Sequence, residues 1–163
     1  LKLGARIRKI RMFRNITQKE LGRRLGYGES SADVRIAQYE SGQRTPKQET
    51  LIRIAEILEV DVRNFLSPGI ATMDELMETL FWMDEENRGL FHLFLLNDSE
   101  SEIVGITMRD KKTMSYLQEW MGKKQKLGDG RITEEEYLEW KLNWPHTCDD
   151  SKERKEYIPW KKK

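Results

Sequence analysis

Residues 17–26 read Thr17-Gln18-Lys19-Glu20-Leu21-Gly22-Arg23-Arg24-Leu25-Gly26, a pattern that predicts a short amphipathic helix ending on a glycine. Thr17 suits the N-cap position, and Glu20, three residues later, completes the pattern of a capping box. Leu21 and Leu25 are four residues apart and therefore share one helix face. We expect that face to be buried.

A second informative stretch reads Ile36-Ala37-Gln38-Tyr39-Glu40-Ser41-Gly42-Gln43-Arg44-Thr45-Pro46. Gly42 suits the left-handed residue that often follows a helix. Thr45 and Pro46 predict the N-cap and first residue of another helix, with Gln48 completing its cap. Two short helices joined by a glycine-containing turn are typical of a DNA-reading unit.

Together these stretches resemble the Cro and lambda-repressor type helix-turn-helix (XRE-like) family. The match is specific because many spaced positions agree at once, and it covers residues 1–66. The matching residues are Thr17–Leu21, Leu25–Gly26, Ile36, Tyr39–Gly42, Thr45–Pro46, Glu49–Leu51, Ile54–Ala55 and Leu58–Val60. The resemblance implies a five-helix, repressor-like domain that binds double-stranded DNA.

Helical spacing of apolar residues predicts the helices on either side. The predicted core residues are Leu3, Ile7, Ile10 and Phe13 in helix 1, Leu51, Ile54, Ala55 and Leu58 in helix 4, and Val62, Phe65 and Leu66 in a short helix 5 that closes the core. Helix 1 also carries several basic residues, which we expect to form a solvated face: Arg6, Arg8, Lys9, Arg11 and Arg14.

The turn after Gly26 is longer than in the family pattern, and residues 27–32 hold the extra length. Counting back from Glu40 keeps Ile36 and Tyr39 as the buried pair of helix 3. The groove-facing positions are then Val34, Arg35 and Gln38. Arginine pairs with guanine and glutamine with adenine in the major groove, and valine packs on a thymine methyl group.

Each of these positions has a structural alternative. Arg35 could instead form a salt bridge with Glu29 or Asp33, and Gln38 could simply face solvent. Asp33 would repel phosphate, and we expect it to cap helix 3.

Candidate phosphate contacts flank the recognition helix. Gln18 lies in the first turn of helix 2, where backbone N–H groups and the helix dipole favour an anion. The family resemblance implies that this glutamine touches the DNA backbone. It also implies that the loop after helix 3 grips phosphates through Gln43, Arg44 and Lys47.

The charge of the chain is unevenly distributed. Residues 1–66 hold 14 Lys+Arg and 8 Asp+Glu, a balance of +6, whereas residues 67–163 hold 15 and 20, a balance of −5. A basic segment is the electrostatic footprint of a phosphate-binding surface. Ser67-Pro68-Gly69 interrupts the helical pattern, so we place a linker at residues 67–72.

Residues 73–144 predict a small α+β region for assembly or sensing. Met73, Leu76, Met77, Leu80 and Phe81 have helical spacing, and we expect this methionine-rich stripe to pack in a core rather than bind a partner. Two apolar runs, Leu90–Leu96 and Ile103–Met108, predict a β-hairpin with a five-residue loop. A helix containing Met114, Leu117, Trp120 and Met121 follows, to about Leu127.

Residues 128–136 superficially match a calcium loop, but Gln125 and Leu127 stand where acidic ligands are needed. We expect a turn instead, then Thr133 as the N-cap of a helix that carries Tyr137, Trp140 and Trp144. Residues 126–141 also weakly resemble a short C-terminal (SHOCT) helical-hairpin module, which implies oligomerisation.

The remaining residues, 145–163, predict a charged, disordered tail. His146 and Cys148 are too few for a four-coordinate zinc site, so no metal or cofactor is expected. With two histidines and one cysteine, catalytic residues are also not expected.

The chain has no apolar run approaching the ~18 residues of a membrane span, and no signal peptide pattern opens it. The expected location is the cytoplasm. The sequence therefore predicts a mainly α DNA-binding transcriptional regulator that reads a palindromic operator as a homodimer. The alternative is a protein–protein interaction module such as an antitoxin-like partner, and an enzyme is the weakest hypothesis.

Overall fold

A computed structural model describes residues 2–66, 69–70, 72–98 and 101–148. The chain divides into two compact units, Leu1–Ala71 (unit 1) and Thr72–Lys163 (unit 2). The described residues form eight helices and one two-stranded sheet, which confirms the expected mainly α architecture with a β-hairpin.

Unit 1 contains the five helices implied by the family resemblance. They are α1 (Leu3–Phe13), α2 (Gln18–Arg24), α3 (Ala32–Ser41), α4 (Gln48–Leu58) and α5 (Arg63–Leu66). Their apolar faces meet in one core, whose fully buried large side chains are Ile7, Leu21, Ile36, Ile54 and Leu58. The predicted helical spacing therefore identified most of the core, although Leu3, Phe13 and Val62 are only half-buried and Leu66 is exposed and does not close it.

Arg11 of α1 and Arg14, which follows the last residue of that helix, are buried, so the expectation of a solvated basic face was wrong for them. Arg14 donates from Nε to the carbonyl of Leu58 at 2.7 Å and from Nη2 to that of Glu59 at 3.0 Å. These carbonyls end α4 and have no partner within the helix, so the guanidinium group caps it. Arg11 pairs with Glu40.

The predicted helix starts are partly correct. Thr17 is the N-cap of α2, with Oγ1 accepting from the Glu20 N–H at 3.1 Å, but the Glu20 carboxylate accepts from Arg24 Nε at 2.7 Å. Thr45 does not cap α4. Pro46 is buried, Lys47 remains extended as the N-cap, and the helix starts at Gln48.

Unit 2 begins with α6 (Met73–Glu86), which Thr72 and Glu75 start with a full capping box. No residue of this helix is buried, and Met73 and Trp82 are 74% and 69% exposed. The expectation that its methionine stripe packs in a core was therefore wrong, because within the described residues no element covers that stripe.

The hairpin consists of β1 (Phe91–Asp98) and β2 (Ser101–Met108), paired antiparallel from Phe91↔Met108 to Asp98↔Ser101. Pairing continues further than expected, so only residues 99–100 join the strands instead of a five-residue loop. Both lie outside the described residues.

Two more helices complete unit 2, α7 (Lys111–Gly128) and α8 (Glu134–Leu142). Asp110 caps α7, and the hydrogen bonds it accepts from the Thr113 side chain and backbone lower the pKa of its carboxyl group. Thr133 and Glu136 form the predicted capping box of α8. The resemblance of this region to the SHOCT module stays a prediction.

The chain remains packed beyond α8. Trp144 follows the end of the helix instead of lying within it, and Thr147 Oγ1 donates to the carbonyl of Trp140 at 2.8 Å. Cys148 is only 2% exposed, so the predicted disordered tail cannot start at residue 145. The rest of that tail, residues 149–163, lies outside the described residues.

None of the described helices combines the length and apolar character needed to cross a membrane.

Candidate nucleic-acid interface

The position of α3 is fixed by its close approach to α2. A Cβ atom on Gly22 would collide with the backbone of Ala32, the first residue of α3, and Ala32 is itself fully buried. Only glycine allows the two helices this spacing. The long turn between them lies outward, since residues 28–31 are all exposed.

The predicted base-contact residues lie on the outer side of α3. Val34, Arg35 and Gln38 span an arc of about 100° on a helix of 3.6 residues per turn, away from the buried Ile36 and Tyr39. Val34 is 52% exposed, whereas Arg35 and Gln38 are half-buried.

The contacts of Arg35 differ from the salt bridges expected as its structural alternative. The Arg35 guanidinium lies over the Tyr27 ring, 5.1 Å from its centroid. Glu29 instead pairs with Lys19 and Arg23, at 3.6 and 3.5 Å. The Arg35 side chain therefore packs on the Tyr27 ring instead of forming the salt bridge with Glu29 or Asp33 that the sequence suggested.

Asp33 is not the N-cap of α3. That position belongs to Ser31, which makes no side-chain cap bond, and Asp33 lies in the first turn. Its Oδ1 accepts from the Val34 N–H at 2.9 Å. The helix starts earlier than expected, at Ala32, and residues 27–31 form the long turn.

Tyr27 is a residue of this region that the sequence reasoning missed. Its hydroxyl lies 3.0 Å from that of Tyr39, linking the start of the turn to the buried side of α3. Burial, together with this hydrogen bond, raises the pKa of Tyr27 to about 12, while the positive charges of Arg35 and Arg44 act in the opposite direction. Both guanidinium groups therefore lie close to one phenol.

Beneath this surface, Glu40 binds two side chains. Arg11 donates to it from Nε at 2.6 Å and from Nη2 at 3.1 Å, and Gln18 donates from Nε2 at 2.8 Å. The Glu40 side chain is only 4% exposed, so the ion pair is largely removed from water. This network joins α1, α2 and α3.

The network also orients Gln18, a predicted phosphate contact. A glutamine amide has two N–H donors, and the bond to Glu40 uses one of them. The other candidates, Gln43, Arg44 and Lys47, are exposed in the segment between α3 and α4. Gly42 starts that segment in the left-handed region, with φ of 80°, and the Arg44 N–H returns to the Gln38 carbonyl at 3.1 Å.

Acidic and metal-binding groups are not gathered at this surface. Within the part of the chain that the structure describes, no cluster of His, Cys, Asp or Glu could hold a metal ion. The surface presents uncharged and basic groups together with the carboxylates of Glu29 and Asp33, and Glu29 is paired with Lys19 and Arg23.

Comparison with known proteins finds a match for most of unit 1. Residues 7–65 match the family model described as helix-turn-helix. The matched segment begins within α1 and ends within α5. No curated protein sequence matches the chain.

Proposed function

We propose that this protein is a sequence-specific transcriptional regulator of the Cro and lambda-repressor type, and the match of residues 7–65 to the helix-turn-helix family model supports this proposal. It reads a palindromic operator as a homodimer. The observation that carries the proposal is the outer side of α3, where Val34, Arg35 and Gln38 are accessible in a segment of charge +6.

In this proposal α3 lies in the major groove. Gln38 and Arg35 hydrogen-bond to base edges, and Val34 contacts a thymine methyl group. The Tyr27 ring supports Arg35 from behind, which limits the side-chain entropy lost when a base is bound. Tyr27 is therefore a positioning residue for the interface.

Phosphates on either side of the groove bind Gln18, Gln43, Arg44 and Lys47. Support comes from the exposure of the last three and from the bond that fixes Gln18 to Glu40. These contacts set the register of the domain on DNA without carrying sequence information.

The homodimer forms through unit 2. Leu93 and Ile106 are directly paired across the hairpin, as are Leu95 and Val104, and all four side chains are exposed on one side of the sheet. We call these residues the aliphatic face. A two-stranded hairpin is marginally stable alone in water, and a second copy covering this face would remove that apolar surface from solvent. Two recognition helices related by a two-fold axis then match a palindrome.

Selection of bound fragments from random double-stranded oligonucleotides tests the proposal with the full chain. We expect enrichment of one palindromic motif, with half-sites about one DNA turn apart. Enrichment of a single half-site would remove the dimer from the proposal. Recovery without any motif would contradict the regulator and favour an interaction module.

A further inference from the structure

An open cleft of about 380 Å³ lies within unit 2, against α7 and the chain at the end of α8. Its wall contains Tyr116, Leu117 and Trp120 from one face of α7, together with Trp140 and Trp144. The volume falls within the range of small-molecule sites, which are mostly apolar and concave. We call it the aromatic cleft.

The rings of the aromatic cleft are held in place by bonds outside it. Trp120 Nε1 donates to the Tyr137 hydroxyl at 2.6 Å, and Trp140 Nε1 donates to Glu119 Oε1 at 3.0 Å. Tyr116 meets Trp144 edge to face, with centroids 5.1 Å apart. Since their indole N–H groups are already bonded, Trp120 and Trp140 can contact a ligand only through their rings.

Lysine side chains lie over three rings of the cleft and over the neighbouring Tyr137, and one of them, Lys141, lines the cleft itself. Each of four ammonium groups lies within 6.0 Å of a ring centroid: Lys112 over Tyr116, Lys123 over Trp140, Lys124 over Trp120, and Lys141 over Tyr137. Among the described residues, none of the four forms a salt bridge with a carboxylate. α7 itself contains five lysines and one glutamate.

Apart from Glu119, which accepts the Trp140 N–H, the charged groups at these rings are ammonium groups, and apolar walls beside ammonium groups favour a ligand that is both apolar and anionic. Aromatic faces stack on flat rings, while unpaired ammonium groups raise the local concentration of anions. We propose that the aromatic cleft binds a small planar aromatic molecule carrying a carboxylate or another anionic group. This inference does not rest on the proposed DNA binding.

Calorimetric titration of the full chain with naphthoate, and with its uncharged analogue naphthamide, tests the ligand class. We expect one naphthoate per chain, bound about three- to tenfold more tightly than naphthamide, with a preference that shrinks as salt rises. Equal binding of the two would show that the lysines contribute nothing. Absence of naphthoate binding would overturn the site.

Matched variants locate the binding. Leu117→Trp places a large ring in the cleft and should abolish binding, whereas Met121→Trp adds the same ring to an exposed position outside its lining. Lys141→Gln should reduce the preference for naphthoate, whereas Lys126→Gln, on the same helix as most of the wall, should not. Unchanged binding by Leu117→Trp would contradict the assignment, provided circular dichroism shows that the variant folds.

Protein concentration provides a further check. A naphthoate affinity that falls as the protein concentration rises would show that a second copy of the chain covers the aromatic cleft. The small-molecule proposal would then be wrong. Affinity independent of concentration supports it.

Discussion

Unit 1 buries most of its large apolar side chains in one core, whereas unit 2 leaves most of those on α6 and the hairpin exposed. In unit 1, even charged groups such as Arg11, Arg14 and Glu40 are buried and bonded. Among the described residues of unit 2, buried apolar side chains are confined to residues 137–148. Unit 1 therefore has a core formed by its own side chains, while the described part of unit 2 leaves apolar surface that our proposal assigns to self-association.

The largest expected effect concerns the ion pair inside unit 1. Glu40→Ala leaves the Arg11 charge buried without its partner, and such losses cost about 3–5 kcal/mol. Urea unfolding measures the loss. Glu20→Ala, which removes an exposed partner of Arg24, is the control and should cost about 0–1 kcal/mol. Equal effects of the two variants would show that the Glu40 network is not what joins the helices.

Two glycine-to-alanine variants, one in each unit, are expected to change stability in opposite directions. Gly22→Ala drives a Cβ atom into the Ala32 backbone and should destabilise unit 1 by about 1–3 kcal/mol, as overpacking does. Gly122→Ala, inside α7 and with open space around it, should stabilise its helix by up to about 1 kcal/mol. Thermal unfolding of both variants checks the two signs. A neutral Gly22→Ala would mean that α2 and α3 can separate freely.

Much of unit 1 was predictable because its signals are local. Leu21 and Leu25, or Ile7 and Ile10, repeat at helical spacing, so their burial follows from periodicity. The burial of Arg11 and Arg14 was not predictable, since their partners Glu40 and Leu58 are 29 and 44 residues away. The role of Tyr27 was missed for the same reason: its partner Tyr39 lies across the turn.

Unit 2 was predictable in its elements and not in its packing. The capping box at Thr133 and the two strands follow from local patterns, and both are present. The stripe from Met73 to Phe81 has the periodicity of a core helix, yet it is exposed. Periodicity shows that a face is apolar but does not identify what covers it.

Self-association tests the aliphatic face. Leu95 and Val104 are 63% and 64% exposed, so replacing both with Glu should shift the full chain from dimer to monomer in sedimentation equilibrium. Thr107→Glu alters an exposed residue on the opposite side of the hairpin and should leave the dimer intact. A wild-type chain that is monomeric at tens of micromolar would already contradict this part of the proposal.

A smaller effect on the free energy of unfolding is expected from the ionisation of Tyr27. Because the pKa of Tyr27 is about 12 in the folded chain and about 10 in its ordinary range, its contribution to stability is fully present below pH 10. As pH rises towards 12, the unfolded chain ionises first and that contribution is lost. Tyr27→Phe should lose less stability over this range in urea unfolding. An equal loss in both proteins would show that Tyr27 does not hold its proton.

The central claim, that the outer side of α3 reads bases, is tested most directly by the ratio of specific to random DNA binding. Gln38→Ala should lose roughly 1–3 kcal/mol on the selected site and little on random DNA, which lowers that ratio. Lys47→Ala, the matched control, should weaken both alike and reduce the salt slope by about one unit. If Gln38→Ala keeps the wild-type ratio, Gln38 does not read a base and the assignment of α3 residues to the groove is wrong.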